Sequence, residues 1–177
     1  YNFPNQTVQL LNGILTAPEI IAVTGWTTDE LNVAIDVAKI SKEYDIVSLL
    51  IGVNNQYRGR STDNFKIEFR QLLQRAIGFA GNKSNHVFVL SIPDWGVAPF
   101  AEGRDRKQIA AEIDAYNKVC EDETKQYGTH FINITPLQRA DGDKEDFLAG
   151  DKLHPSAKEY TKWAMQLSAA IKTEISK

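Results

Sequence analysis

The chain reads as an α/β protein: a parallel sheet covered by helices on both faces, in three layers. Three observations predict it. Strand-like and helix-like patterns alternate, the strand runs are apolar almost throughout, and each helical stretch carries one apolar stripe. Runs rich in β-branched residues mark four strands, Glu19 to Gly25, Ile46 to Gly52, His86 to Pro93 and Thr129 to Thr135. Thr27 opens a helix with Glu30 three residues on, a capping box, and Leu31, Ile35 and Ala38 supply its stripe. A second helix starts near Ser61 with Phe65, Phe69, Leu72, Leu73 and Ala76 on one face. A third runs from about Asp105 to Tyr127, and a fourth follows Pro155 with Tyr160, Trp163, Leu167 and Ile171 at helical spacing. The expected order is one helix, then strand and helix four times.

At 177 residues the chain is long enough for one respectable core and short for two, so a single domain over 1–177 is expected. Apolar content of 42% and charged content of 24% suit a globular protein. The longest apolar runs, around Ile46 to Val53 and His86 to Ile92, fall far short of the roughly 20 residues of a membrane helix. A formal charge of −3 with interspersed signs offers no basic stripe for nucleic acid. No protein partner is evident from the sequence. The single Cys120 excludes an internal disulfide, and its spacing with Ile109, Ile113 and Tyr116 puts it on a helix's apolar face, as a core residue. No basic segment followed by an apolar one is visible at the N-terminus, and the compartment stays open. Asn5-Gln6-Thr7, Asn82-Lys83-Ser84 and Asn133-Ile134-Thr135 match the glycosylation pattern, which is too short to carry weight.

In a parallel sheet of this kind, ligand sites lie at the carboxyl ends of the strands. The residues there are Gly25-Trp26, the stretch from Gly52 to Gly59, Asp94-Trp95-Gly96 and, past the last strand, Asp151-Lys152-Leu153-His154-Pro155. His86 and His130 sit at strand beginnings and read as structural. His154 differs. Asp151, three residues earlier, can fold back to accept a hydrogen bond from one imidazole nitrogen, leaving the other to take a proton. The competing reading is a helix-capping Asp beside a surface His. Asn54, just after Gly52, presents a side-chain amide, and Gly25 lets a backbone N–H approach a developing negative charge unhindered.

With these residues in this order, the sequence resembles the SGNH hydrolases, the GDSL-like esterase and lipase family. Its second-block glycine matches Gly25, its third-block Gly-x-Asn matches Gly52-Val53-Asn54, and its last-block Asp-x-x-His matches Asp151 and His154. The stretches Gly52 to Gly59 and Pro93 to Phe100 are similar to a bacterial branch. The resemblance implies a flavodoxin-like parallel sheet and a serine-type carboxylic ester hydrolase acting on small or lipid-like acyl esters through an acyl-enzyme. It implies His154 as base, Asp151 as its orienter, and Gly25 and Asn54 as oxyanion donors. No metal or organic cofactor is implied, and no Cys/His cluster has ligand spacing. Trp26, Tyr57, Trp95 and Phe100 are candidates for the acyl or leaving-group pocket, or else pack under loops. Arg58 and Arg60 read as solvent-facing. Asn55 stands where the family often has Asp, which should alter loop bonding only.

The family's first block, Gly-Asp-Ser after its first strand, has no counterpart here. None of Ser41, Ser48, Ser61, Ser84, Ser91, Ser156, Ser168 and Ser176 sits in a sharp strand-to-helix turn; Ser61 reads as a helix cap and Ser156 as the start of a capping box with Glu159. The family's first strand lies between those expected to end at Gly25 and Gly52. On the order of ten ladder bonds at about 0.5–1.5 kcal/mol each would go with it, so strand and nucleophile are expected upstream of Tyr1. Two other classes stay open: a non-catalytic relative binding an acylated ligand, and a flavodoxin-like signalling or electron-transfer domain. The retained Asp151 and His154 argue against the first, and the second would leave Gly25, Asn54, Asp151 and His154 as coincidence.

Overall fold

The computed structural model describes residues 2–176, which form two compact units. One unit comprises residues 20–92 and 112–132 and holds the sheet. Its strands β1 (Val47–Leu49), β2 (Val87–Leu90) and β3 (His130–Ile132) pair in parallel in the order β1-β2-β3, with Val47 opposite Val87 and Val89 opposite Phe131. β2 is buried at all four positions, as the sheet's centre should be, whereas Ser48 of β1 is exposed and β3 is half-buried. Flanking helices complete the α/β class that the sequence predicts.

Helix α2 (Thr28–Ala38) begins at the expected capping box, where Thr27 N–H donates to Glu30 Oε2 at 2.8 Å. Its stripe is shallower than predicted. Leu31 is buried, but Ile35 is half-buried and Ala38 exposed. Helix α4 (Thr62–Phe79), capped by Ser61, buries Phe65, Phe69, Leu72, Leu73 and Ala76 as the spacing requires. Phe65 packs between Phe69 and Tyr116, at ring distances of 5.4 and 4.6 Å. Tyr116 and the buried Cys120 lie on α5 (Arg106–Tyr127), where burial pushes the Cys120 thiol up. Glu123 of α5, buried, takes a two-pronged grip from Arg70 of α4 at 2.8 Å on both oxygens.

The predicted strand Glu19 to Gly25 is not a strand. The segment runs irregularly, with Ile20 43% and Val23 59% exposed, and no ladder reaches it among the described residues. A strand's hydrogen bonds come from a neighbour, so apolar, β-branched composition cannot form one alone.

The other unit comprises residues 2–19, 93–111 and 133–176 and is helical. Helix α1 (Phe3–Leu10), with Asn2 as its cap, lies against α7 (Ala157–Ile175): Phe3 meets Tyr160 and Trp163 at 6.3 and 6.2 Å, and Gln6 donates to the Ala157 carbonyl at 2.9 Å. Trp163, Leu167 and Ile171 carry the buried stripe of α7, and Ile134 and Leu11 close the core. Short helices α3 (Val53–Tyr57) and α6 (Thr135–Asp141), one in each unit, have no counterpart in the periodicity; both are too brief to show one.

Candidate active site

Asp151 and His154 occupy the tip of a small hairpin. Ser156 N–H donates to Phe147 O and Ala149 N–H to His154 O, at 2.9 and 2.8 Å, with Leu148 and Pro155 bridged antiparallel. Lys152 takes the left-handed conformation (φ +58°) and donates its N–H to Ala149 O at 2.9 Å, which closes the turn. The turn aims one Asp151 oxygen at two backbone N–H groups, Leu153 at 3.0 Å and His154 at 2.9 Å. The other meets His154 Nδ1 at 2.5 Å. Asp151 therefore serves the imidazole rather than capping α7, whose cap is Ser156.

These hydrogen bonds hold the Asp151 carboxyl down at about 2, the His154 backbone N–H first, then its ring and the Leu153 N–H. An ionised carboxylate only accepts, so Nδ1 is the nitrogen that donates to it, and in a neutral imidazole that tautomer leaves the lone pair on Nε2. The pair is half open: 51% of the Asp151 side chain and 48% of the His154 side chain are exposed, so solvent screens its charge. The hairpin's base is firmer. Phe147 lies under the ammonium groups of Lys158 and Lys162, at 4.9 and 4.6 Å from its ring centre. Lys162 also binds Leu137 O and Asp141 Oδ2, both at 2.9 Å, and Glu159 Oε2 at 2.5 Å. Glu159 thus serves Lys162 and the Trp163 indole instead of completing a capping box with Ser156.

In the sheet-bearing unit, Gly25 occupies a turn at φ +94°, and a Cβ there would meet nothing within 4 Å. Its carbonyl accepts from Arg58 Nη2 at 2.7 Å, and the Trp26 carbonyl accepts from Asn54 Nδ2 at 3.0 Å. The residues of the two predicted blocks thus meet. Gly52, at φ +127°, starts α3 and has no room for a side chain: a Cβ would lie 2.6 Å from Ile92 Cδ1 and 2.8 Å from Phe65 Cε2. Asn55, fully buried, accepts from Thr28 N–H at 3.1 Å and donates to Thr28 Oγ1 at 2.6 Å, pinning α3 to the start of α2.

Arg58 and Arg60 do more than face solvent. Arg60 pairs with Asp29 at 2.6 Å and holds that carboxyl at about 2, and Arg58 pairs with Glu30 at 3.1 Å while gripping Gly25. The sequence offers no spacing that couples residues 25 and 58. Of the aromatic candidates, Trp26 is half-buried and Tyr57, ending α3, is exposed. Trp95 is buried and meets the exposed Phe100 edge to face at 6.1 Å, with the Arg104 guanidinium over both rings. Ser61 and Ser156 are helix caps as predicted, and Ser91, just after β2, is fully buried. Among the described residues no group of three or more His, Cys, Asp or Glu could hold a metal ion, and no helix is long and apolar enough to cross a membrane.

The sequence profile of the GDSL-like Lipase/Acylhydrolase family matches residues 1–162. The fold is similar to that of an acetyl xylan esterase, AlAXEase, at TM-score 0.74 and 16% identity over 96% of this chain and 90% of that one. It is similar to the acetylxylan esterase Axe2 from Geobacillus stearothermophilus, at TM-score 0.68 and 20% identity over 99% and 81%. The lipase/acylhydrolase from Enterococcus faecalis follows at TM-score 0.59 and 21% identity over 84% and 72%. No curated protein sequence matches significantly.

Proposed function

The chain belongs to the GDSL-like lipase/acylhydrolase family and is a carboxylic ester hydrolase, and on that premise we propose that Asp151 and His154 drive its chemistry. The observation carrying this reading is the ionised Asp151 carboxylate on His154 Nδ1, which leaves Nε2 as the base. In the proposed cycle a serine oxygen attacks the ester carbonyl while its proton passes to Nε2. The tetrahedral adduct then collapses to an acyl-enzyme as Nε2 returns that proton to the leaving alcohol. Water repeats the sequence, releasing the acid and restoring the serine. The serine is read as lying upstream of Tyr1, since none of the eight within the chain matches the family's first block.

Gly25 N–H and Asn54 are proposed as oxyanion donors. A side-chain amide has two N–H bonds. With one on the Trp26 carbonyl, the other is left for substrate, and the tether fixes where it points. Trp26, Tyr57, Trp95 and Phe100 are proposed to contact the acyl or leaving group. The whole of 1–177 is read as one catalytic domain. Small acyl esters are the proposed substrates, acetylated sugars among them because two similar folds are acetylxylan esterases.

The test is hydrolysis by the full-length protein of 4-nitrophenyl acetate, 4-nitrophenyl butyrate and acetylated xylo-oligosaccharides, alongside His154→Ala. Turnover of at least one ester that His154→Ala lowers by about three or more orders of magnitude supports the reading. Equal rates in both proteins would overturn it.

A further inference from the structure

Asp94 is 1% exposed, and its carboxylate is buried yet shared between two elements. One oxygen accepts from Gly96 N–H at 2.9 Å and the other from Arg139 Nε of α6 at 2.8 Å. Arg139 Nη2 goes on to the Ala110 carbonyl of α5 at 3.2 Å, so one guanidinium fastens the loop after β2 to two helices. Arg106 adds a second clamp on the Val97 and Ala98 carbonyls, at 3.0 and 3.3 Å. Gly142 closes in on the same loop, where a Cβ would stand 2.5 Å from Val97 Cγ2. From this fixed block Phe100 N–H donates to the Lys152 carbonyl at 3.3 Å.

Lys152 lies between Asp151 and His154 in the left-handed conformation, which is unfavourable for a residue with a Cβ. Such conformations persist where their surroundings over-determine them. The Ala149 carbonyl holds Lys152 from within the hairpin, and the Phe100 N–H holds it from outside. We infer that Arg139, acting through Asp94 and the Trp95–Phe100 loop, is a positioning residue that sets the orientation of His154. The inference rests on the proposed role of the Asp151 and His154 pair. It adds that the fixed end of the catalytic turn is an ion pair 45 residues apart in sequence.

The test uses the full-length protein with Arg139→Gln and Arg139→Lys. Loosening the turn misplaces the base without touching substrate, so Arg139→Gln should lower kcat on 4-nitrophenyl acetate about 10- to 100-fold with KM little changed. Arg139→Lys, which keeps the charge, should recover part of the loss. In protein labelled with 15N-histidine, the downfield Nδ1–H resonance of His154, assigned by its disappearance in His154→Ala, should shift or broaden in Arg139→Gln. A wild-type kcat together with a wild-type His154 resonance in Arg139→Gln overturns the inference while leaving the catalytic reading intact. Wild-type activity in His154→Ala overturns the catalytic reading instead. If Arg139→Gln does not fold, Arg139→Lys decides: a shifted or broadened His154 resonance supports the inference, and an unmoved one overturns it.

Discussion

Asp151 acts through three hydrogen bonds, and its chemistry follows from their directions. Its carboxyl is depressed below the ordinary 3.8, so the ionised form contributes stability that is complete above about pH 4 and is lost as the pH falls through about 2. A carboxyl titration followed by NMR should show this residue protonating near that value, and a midpoint at the ordinary value would mean the turn does not persist in solution. Asp151→Asn keeps the shape but offers an N–H where Nδ1 needs an acceptor. The imidazole then carries its proton on Nε2, the end proposed to receive one. We expect kcat of the full-length protein to fall by about 10³- to 10⁴-fold with far-UV circular dichroism unchanged. This pair was legible because three residues is a distance a single turn spans. Arg58 was not, because its job depends on Gly25 being brought to it across 33 residues.

At the scale of elements, the two glycines of the predicted blocks separate into different requirements. Gly25 needs only its left-handed backbone, since the space around it is open. Gly52 needs that freedom and the absence of a side chain, because Ile92 and Phe65 close over it where β1 turns into α3. Gly25→Ala should therefore cost about 1–2 kcal/mol of stability, and Gly52→Ala about 2–4 kcal/mol, by urea unfolding. Equal costs would show that the core around Phe65 yields more easily than its packing implies. The same elements explain what spacing could reveal. The long helices α4, α5 and α7 announced themselves through repeated apolar positions. The loop from Asp94 to Phe100, which has no period, disclosed nothing of the ion pair that anchors it.

For the whole molecule, burial ranks the segments by how readily they open. Backbone amides of β2 are paired on both sides and fully buried, whereas residues 20–24 have no ladder. Hydrogen exchange should then protect residues 87–90 close to the global limit and leave residues 20–24 exchanging near the unprotected rate. Protection of 20–24 comparable to β2 in the full-length protein would mean that a strand pairs with them there. Cys120 offers an independent reading of the same hierarchy. Its thiol is buried and its ionisation suppressed, so a thiol reagent should label it only as fast as the surrounding helices open.

Local interactions were within the reach of the sequence: the caps at Thr27, Ser61 and Ser156, the apolar faces of the long helices, the helical setting of Cys120, and the three-residue spacing of Asp151 and His154. Each depends on neighbours a turn or two away along the chain. Tertiary structure alone decided that His86 to Pro93 yields a central strand while Glu19 to Gly25, of similar composition, yields none, because a strand exists only where another backbone supplies its hydrogen bonds. It also decided that Arg58 grips Gly25, that Asn55 locks α3 to α2, and that Arg139 reaches Asp94. Those contacts join residues 27 to 45 positions apart, and which charged or amide side chains face one another is set by how the elements pack, which periodicity does not encode.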